Sequence, residues 1–241
     1  MPTLGEWLAN GPFGVAMSSG FFAFYAHTGM AAALLARGLR PIHVAGSSAG
    51  AMVAGAYGAG IDPESHGRVL SQLRREDFWD PRLGWGVLSG NKFDALLREM
   101  LPIARIEDCR IPVRISVFDI LARRTRVLET GDLATAIRAS CAVPGMFHPV
   151  WIDRRPYWDG GILDRPGIAG LPPGRLLYHH ITGPVFPIPK RPDMVTLVLD
   201  GLPRANPFRL DAGRRALDLA RIATDRALDQ PIERGVVRIR V

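Results

Sequence analysis

Cysteine is scarce in this chain, and its scarcity excludes two groups of proteins. Cys109 and Cys141 are the only cysteines among 241 residues, and no C-x-x-C spacing occurs. The sequence therefore excludes a secreted disulfide scaffold and a cysteine-based zinc site. We expect both cysteines to be buried thiols.

Long apolar stretches are missing as well. No apolar run reaches the roughly 18 residues that a membrane-spanning helix needs. Residues Met1–Phe13 contain Glu6 and Pro12 and lack a basic segment, so they do not have the pattern of a signal peptide. We therefore expect a cytoplasmic protein with a single domain over residues 1–241, long enough to bury most of a core.

Lysine is nearly absent, and the positive charge comes almost entirely from arginine. Lys92 and Lys190 are the only lysines among 30 basic residues, and the formal net charge is +7. A basic surface favours anionic lipid or nucleic acid as a partner. Because the arginines are scattered and no nucleic-acid-binding motif occurs, we expect no nucleic-acid partner. The sequence leaves the oligomeric state open.

The apolar patterning predicts strands that alternate with helices, which is typical of an α/β layer structure. The predicted strands cover residues 13–17, 42–45, 113–120, 125–128, 176–181, 195–199 and 236–241, with a hairpin over 150–158. The predicted helices cover residues 25–37, 51–56, 64–75, 92–100, 132–139 and 211–228. The proline-rich stretch Pro184–Pro192 is predicted to be a loop.

The most informative motif is Gly46-Ser47-Ser48-Ala49-Gly50, a G-x-S-x-G sequence between a predicted strand and a predicted helix. This context is that of a nucleophile elbow, in which a sharp turn exposes the central serine at the end of a sheet. Gly46 and Gly50 leave room for the crowded backbone, and the helix N-terminus stabilises negative charge near Ser48. Alternatively, Ser48 is only the N-cap of a glycine-rich helix.

A serine nucleophile needs a base, and the histidines do not supply an obvious one. In an α/β-hydrolase an acid and then a late histidine follow the serine, whereas no histidine follows His180 here. The remaining candidate is Asp159, which ends a predicted strand and precedes Gly160 and Gly161. A carboxylate becomes an effective base when burial raises its pKa. Alternatively, this D-G-G sequence is a plain hairpin turn.

The other histidines have weaker claims on the site. His27, on the first predicted helix, is expected to be buried with its hydrogen bonds satisfied. His179 and His180 lie in a predicted strand, where successive side chains face opposite sides, so at most one can reach a cleft. His148 and Asp153 are expected to shape a turn.

Backbone donors for an oxyanion are predicted in the turn between the first strand and the first helix. Ser18, Ser19 and Gly20 are small, so their backbone can approach a substrate at the same sheet end as Ser48. An ordinary strand-to-helix turn is the alternative. The aromatic residues that follow either line an acyl pocket or belong to the core: Phe21, Phe22, Phe24 and Tyr25.

Three of these features, in this order, resemble the patatin-like phospholipase family. They are the small-residue turn, the G-x-S-x-G motif and the later D-G-G sequence. The segment Ile137–Val150, with its A-S, P and F-x-P pattern, is also similar to the family's segment before the acid. The resemblance spans the first two-thirds of the chain. It implies a three-layer α/β sandwich with a central, mostly parallel sheet of the patatin type.

The resemblance also implies a mechanism. The family's enzymes are serine lipolytic hydrolases that cleave acyl esters with a Ser–Asp dyad, without histidine, metal or cofactor. By resemblance, Ser48 is the nucleophile, Asp159 is the base and general acid, and Ser19, Gly20 and Phe21 supply the oxyanion donors. The expected partner is a lipid or another acyl ester. The positive charge also favours contact with a membrane surface, although no single basic amphipathic helix stands out.

The oxyanion turn departs from the family's usual G-G-G-x-R-G pattern. Gly20 is the one glycine left, and Ala23 stands where arginine is common. Three alternatives to this hydrolysis stay open. They are an acyltransferase or thioesterase on the same dyad, a low-activity or non-catalytic binding protein, and an α/β-hydrolase with a histidine-containing triad.

Overall fold

The strands and helices follow one another much as the apolar pattern predicts. A computed structural model describes residues 1–181 and 186–241. The strands are β1 Gly14–Met17, β2 His43–Ser47, β3 Gly86–Leu88, β4 Val113–Asp119, β5 Arg124–Leu128, β6 Gly145–Phe147, β7 Val150–Ile152, β8 Arg155–Asp159, β9 Leu176–His180, β10 Met194–Asp200 and β11 Val236–Arg240. The α-helices are α1 Leu4–Ala9, α2 Phe24–Ala36, α3 Ala49–Gly58, α4 Pro63–Gln72, α5 Asn91–Met100, α6 Leu133–Ser140 and α7 Leu210–Leu228.

Within the described residues, nine strands form one sheet in the spatial order β11-β10-β9-β1-β2-β4-β8-β7, with β5 paired to β4. The pairs from β11 to β4 are parallel, whereas β4 pairs antiparallel with β5 and β8, and β7 with β8. Strands β3 and β6 form a separate parallel pair. The expected α/β class is confirmed, with a central, mostly parallel sheet flanked by helices.

The two faces of the sheet belong to different apolar clusters, as the alternation of side chains along a strand requires. Val15 and Val44 belong to the large core that also contains the helices, and Ala16 and Ala45 belong to a smaller cluster on the opposite face. Helix α2 is enclosed by its neighbours α4 and α7, so ten consecutive residues, Tyr25–Leu34, are buried.

Local signals explain most element boundaries. The predicted hairpin over 150–158 is formed by β7 and β8. Asp132 caps α6 by accepting a 2.8 Å hydrogen bond from the Thr135 N–H. Helix α1 was not predicted, although Thr3 and Glu6 form a capping box at its start. Strands β3 and β6 were also missed, because three residues are too few to show a periodic pattern.

Two remaining expectations concern the proline-rich stretch and membrane-spanning helices. Pro184 and Val185, at the start of the proline-rich stretch, lie outside the described residues, and residues 186–192 contain neither helix nor strand. Across residues 1–181 and 186–241, no helix has the length and apolar character needed to cross a membrane.

Candidate active site

Strand register brings two distant parts of the chain together at the carboxyl edge of β2. Strand β2 runs parallel to β4, and its last residue, Ser47, lies opposite Ser116. Strand β8 runs antiparallel to β4, and its last residue, Asp159, lies opposite Val117. Because Ser116 and Val117 are consecutive, the ends of β2 and β8 meet.

Ser48 occupies the sharp turn between β2 and α3. Its backbone has φ 54° and ψ −122°, a left-handed conformation that costs a non-glycine residue on the order of 1–3 kcal/mol. A Cβ on Gly46 would lie 2.3 Å from the Gly50 carbonyl, and one on Gly50 would lie 2.0 Å from the Met17 carbonyl. Both flanking positions therefore require glycine. The Ser48 side chain makes no capping hydrogen bond to α3, so the alternative of a simple N-cap is wrong.

Ser48 and Asp159 are in direct contact. Ser48 Oγ donates a 2.6 Å hydrogen bond to Asp159 Oδ2, and the Gly161 N–H donates a 2.7 Å hydrogen bond to Oδ1 of the same carboxylate. Asp159 is 6% exposed, and burial raises its pKa to about 6 although Ser48, Gly161 and Arg165 oppose the rise. The carboxylate is therefore ionised at neutral pH and is a stronger base than an exposed aspartate.

The D-G-G sequence is not a hairpin turn, because Gly160 and Gly161 begin a short 3-10 helix after β8. A Cβ on Gly160 would lie 2.1 Å from the Ser116 carbonyl. A Cβ on Gly161 would lie 2.7 Å from Ser19 Oγ and 2.9 Å from Asp159 Oδ1. The two glycines let the backbone pass close to the sheet end and to the carboxylate.

Ser140 anchors the turn, a role that the sequence reasoning missed. Its hydroxyl accepts a 2.8 Å hydrogen bond from the Ser48 N–H and donates a 2.7 Å hydrogen bond to the Ser116 carbonyl. The residue is completely buried. Ser140 therefore ties the strained turn to β4. The A-S pair within segment Ile137–Val150 was the available sequence signal for this role, but it did not indicate which groups the Ser140 hydroxyl contacts.

The predicted oxyanion turn needs one correction. The Ser19 N–H donates a 2.7 Å hydrogen bond to the Arg165 carbonyl, so this amide is already engaged. Among the described residues, the Gly20 and Phe21 amides have no internal acceptor, and both residues line the same cleft as Ser48. Of the three predicted donors, the amides of Gly20 and Phe21 are thus available within the described residues, and that of Ser19 is not. The Ala49 N–H, at the start of α3, also lacks an internal acceptor within this part of the chain.

The buried histidines form their own contacts behind this turn. The Ser18 carbonyl accepts a 2.9 Å hydrogen bond from His27 Nε2, and the Nδ1 atoms of His27 and His179 are 2.9 Å apart. Burial lowers the pKa of His27 to about 4 and that of His179 well below its usual value, so both are neutral. The expectation that His27 is buried and satisfied is confirmed.

No histidine of the described chain lies at the serine. His180 Nδ1 is 3.0 Å from the Tyr178 hydroxyl, and His148 Nε2 is 3.2 Å from the Arg82 carbonyl. Within residues 1–181 and 186–241, Asp159 is the side chain that accepts the hydrogen bond of the Ser48 hydroxyl. The geometry gives the histidine-triad alternative no support.

Ser48 lines an apolar cleft. Its empty volume, counted out to the open mouth, is about 720 Å³, and none of the described residues that line it carries a charge. Tyr25 belongs to the core, where its hydroxyl donates a 3.2 Å hydrogen bond to the Leu70 carbonyl. The other three aromatic residues of the first turn do line the cleft, together with further phenylalanines: Phe21, Phe22, Phe24, Phe78, Phe93 and Phe147.

Metal ligands are not assembled at this site. Within the described ranges, no group of three or more histidine, cysteine, aspartate or glutamate side chains could hold a metal ion. Cys141 lines the cleft as a free thiol, and burial together with the nearby Asp159 charge raises its pKa well above the usual value. Its thiol is therefore a poor nucleophile at neutral pH.

Known proteins resemble this chain in sequence and in fold. A family model for patatin-like phospholipases matches residues 15–171. Uncharacterized NTE family proteins of Mycobacterium tuberculosis and Mycobacterium bovis are each 37% identical to the chain over 153 residues, which is 62% of this chain and 42% of each relative. The chain thus spans less than half the length of these relatives. The crystal structure of VipD from Legionella pneumophila has a TM-score of 0.56 at 16% identity, covering 78% of this chain and 49% of VipD, and is similar in fold.

Proposed function

Because this chain belongs to the patatin-like phospholipase family, we propose that it is a serine lipolytic acyl hydrolase of the phospholipase A or esterase type. The observation that carries the proposal is the 2.6 Å hydrogen bond from Ser48 Oγ to Asp159 Oδ2, beside an apolar cleft that Ser48 lines. We further propose that residues 1–241 act as one domain, since β10 and β11, beyond the matched region, pair into the same sheet.

Acylation begins with the acyl chain in the cleft and the ester carbonyl carbon against Ser48 Oγ. As Oγ attacks this carbon, Asp159 Oδ2 takes the hydroxyl proton. The negative charge moves to the carbonyl oxygen, where the Gly20 and Phe21 amides and the N-terminus of α3 stabilise it. The carbon–oxygen bond of the leaving alcohol then breaks, and Asp159 returns the proton to that alcohol. The product is an acyl ester of Ser48.

Deacylation repeats the same steps with water. Asp159, again ionised, takes a proton from a water molecule as its oxygen attacks the acyl carbon. The second tetrahedral oxyanion uses the same amide donors. The bond between the acyl carbon and Ser48 Oγ breaks, the proton returns to Oγ, and the free fatty acid leaves the cleft.

The shape and chemistry of the cleft support a long apolar acyl group as the substrate's distinguishing part. A cleft without charged lining residues binds hydrocarbon because it removes apolar surface from water. An acceptor other than water would make the same acyl-enzyme an acyltransferase or a thioesterase. Product analysis with competing alcohols distinguishes these outcomes from hydrolysis.

Hydrolysis of p-nitrophenyl esters by purified variants tests the proposal. We expect Ser48→Ala and Asp159→Asn to lower kcat by about 10³-fold or more, since members of a catalytic unit act together. Ser47→Ala is the matched control, because Ser47 is the neighbouring serine and its buried hydroxyl has no partner among the described residues. This control should retain activity. Undiminished activity in Ser48→Ala would contradict the proposal.

A further inference from the structure

Two β-hairpins beside the cleft expose large apolar side chains. In the first, the turn between Pro81 and Leu88, Leu83 is 99% exposed and Trp85 is 73% exposed. In the second, formed by β7 and β8, Trp151 is 63% exposed. Exposed tryptophans are costly in water, so adjacent ones indicate a surface that contacts something apolar.

These side chains form one continuous surface. Trp151 lies opposite Pro156, and Trp158, two residues further along β8, is therefore on the same face of the hairpin. The rings of Trp158 and Trp85 have centroids 6.5 Å apart, which joins the two hairpins. We refer to the exposed residues of this surface as the tryptophan edge: Leu83, Trp85, Val87 and Trp151.

The tryptophan edge adjoins the cleft, and its first hairpin is held in place. The Arg82 N–H donates a 2.9 Å hydrogen bond to the Val87 carbonyl, and His148 Nε2 lies 3.2 Å from the Arg82 carbonyl. The residue after Val87 is Leu88, which lines the cleft and pairs with Phe147, another residue of the cleft lining. The hairpin that carries the tryptophan edge is therefore also part of the cleft wall.

Positive charge surrounds this surface. The β4–β5 turn lies against the second hairpin, since the Ile120 N–H donates a 3.2 Å hydrogen bond to the Pro156 carbonyl. The acidic residues of these three turns are Asp119, which is buried and paired with Arg155 at 3.2 Å, and the exposed Asp153. The same turns carry five exposed arginines: Arg82, Arg123, Arg124, Arg154 and Arg155.

We propose that the tryptophan edge docks the protein onto an anionic lipid surface, which brings a wall of the cleft against the bilayer. Tryptophan rings are stable at the boundary between headgroups and hydrocarbon, and arginines are attracted to anionic headgroups. Docking there holds the cleft close to the lipid that supplies its substrate. The delivery of substrate rests on the proposed function, whereas the docking itself does not need the Ser–Asp pair.

Vesicle flotation tests the docking separately from catalysis. The Ser48→Ala protein is used throughout so that no lipid is consumed, with vesicles of phosphatidylcholine alone or with added phosphatidylglycerol. We expect binding to the anionic vesicles that weakens as salt is added. Replacing both Trp85 and Trp151 by Ala should weaken this binding about tenfold or more. Arg154→Gln with Arg155→Gln should weaken it and flatten its salt dependence.

A matched control comes from helix α7, where Ile222 is 54% exposed and Arg226 is exposed nearby. Ile222→Ala with Arg226→Gln removes one exposed apolar group and one charge away from the hairpins, and it should bind vesicles normally. Equal vesicle binding by the tryptophan variant and the control would overturn the proposal. So would an absence of binding to anionic vesicles.

Sedimentation without lipid tests whether a second copy of the protein occupies this surface instead. Dimerisation that is abolished by the tryptophan substitutions, without vesicle binding, would assign the edge to a second copy and overturn the proposal. A variant with both tryptophans replaced and Ser48 restored separates the docking proposal from the proposed hydrolysis. Its activity is measured on soluble p-nitrophenyl esters. We expect that activity to persist when docking is lost, so a failure of docking leaves the proposed chemistry to be judged by its own assay.

Discussion

Ser48 Oγ donates a 2.6 Å hydrogen bond to Asp159 Oδ2 because β2 and β8 end at consecutive residues of β4. The carboxylate is thus held by the sheet itself, and its second oxygen accepts a 2.7 Å hydrogen bond from the Gly161 N–H. A base fixed on a strand keeps its geometry more accurately than one on a mobile loop. Four consequences of this arrangement can be measured.

The pKa of Asp159 sets the acid limb of the pH dependence. Burial raises this pKa to about 6, so kcat/KM for a soluble ester should fall as the pH drops through about 6 and the base becomes protonated. The Arg165 charge lowers the pKa of Asp159. Arg165→Gln should therefore move the acid limb to higher pH. An acid limb near pH 3.8, the ordinary aspartate value, or one unmoved by Arg165→Gln, would disagree with this assignment.

Asp159 also lowers the stability of the protein at high pH. Its pKa is about 6 in the folded protein and 3.8 when unperturbed, so the folded state holds the proton more tightly. The stabilisation from that proton is full below 3.8 and is lost as the pH rises through 6. Asp159→Asn should then raise the free energy of unfolding at pH 8 by up to about 3 kcal/mol and change it little at pH 4. Urea unfolding at both values measures this, and equal effects at both would contradict it.

The strained backbone of Ser48 predicts an unusual order of stabilities. Because φ is 54°, glycine fits this position better than alanine. Ser48→Gly should be more stable than Ser48→Ala by about 1 kcal/mol, with both variants inactive. Ser47 is the control, since it lies in β2 and there glycine should be less stable than alanine. Thermal unfolding measures the stability of the glycine and alanine variants at both positions. If their order were the same at Ser48 and Ser47, the result would argue against strain at the turn.

Ser140 should act on catalysis through the position of Ser48. Ser140→Ala removes the acceptor of the Ser48 N–H and a donor to the Ser116 carbonyl, which should cost about 1–3 kcal/mol of stability and lower kcat more than it changes KM. Thr224→Val is a matched control, because the buried Thr224 hydroxyl has no partner in the described part of the chain. It should keep both stability and kcat. A loss of stability in Ser140→Ala with kcat unchanged would reduce Ser140 to a structural role.

Local sequence signals predicted much of this architecture, and together with the family resemblance they singled out Ser48 and Asp159, which the structure brings into contact. The G-x-S-x-G motif between a strand and a helix depends on short-range sterics around Ser48, which a sequence displays directly. The D-G-G motif places Asp159 at a strand end for the same reason. The short strands β3 and β6 escaped prediction because they exist through pairing with each other. That pairing also positions the hairpin which carries Trp85.

The features that the sequence could not reveal depend on hydrogen bonds between distant parts of the chain. The Ser19 amide was expected to be free, but it donates to the carbonyl of Arg165, which lies far along the chain. The anchoring of Ser48 by Ser140 also joins segments that are distant in sequence. Such contacts depend on strand register and on the path of the loop after Asp159, and neither leaves a periodic signal.

Fluorophosphonate labelling with peptide mass mapping tests the central claim most directly, because the reagent reports both the nucleophile and its activation. The account predicts a single adduct on Ser48 in the wild-type protein and in Ser47→Ala. It predicts no adduct in Ser48→Ala and labelling of the folded Asp159→Asn protein that is slower by about 10²-fold or more. An adduct on another residue, or labelling of Ser48 at an unchanged rate in Asp159→Asn, would contradict the proposed pairing of Ser48 with Asp159.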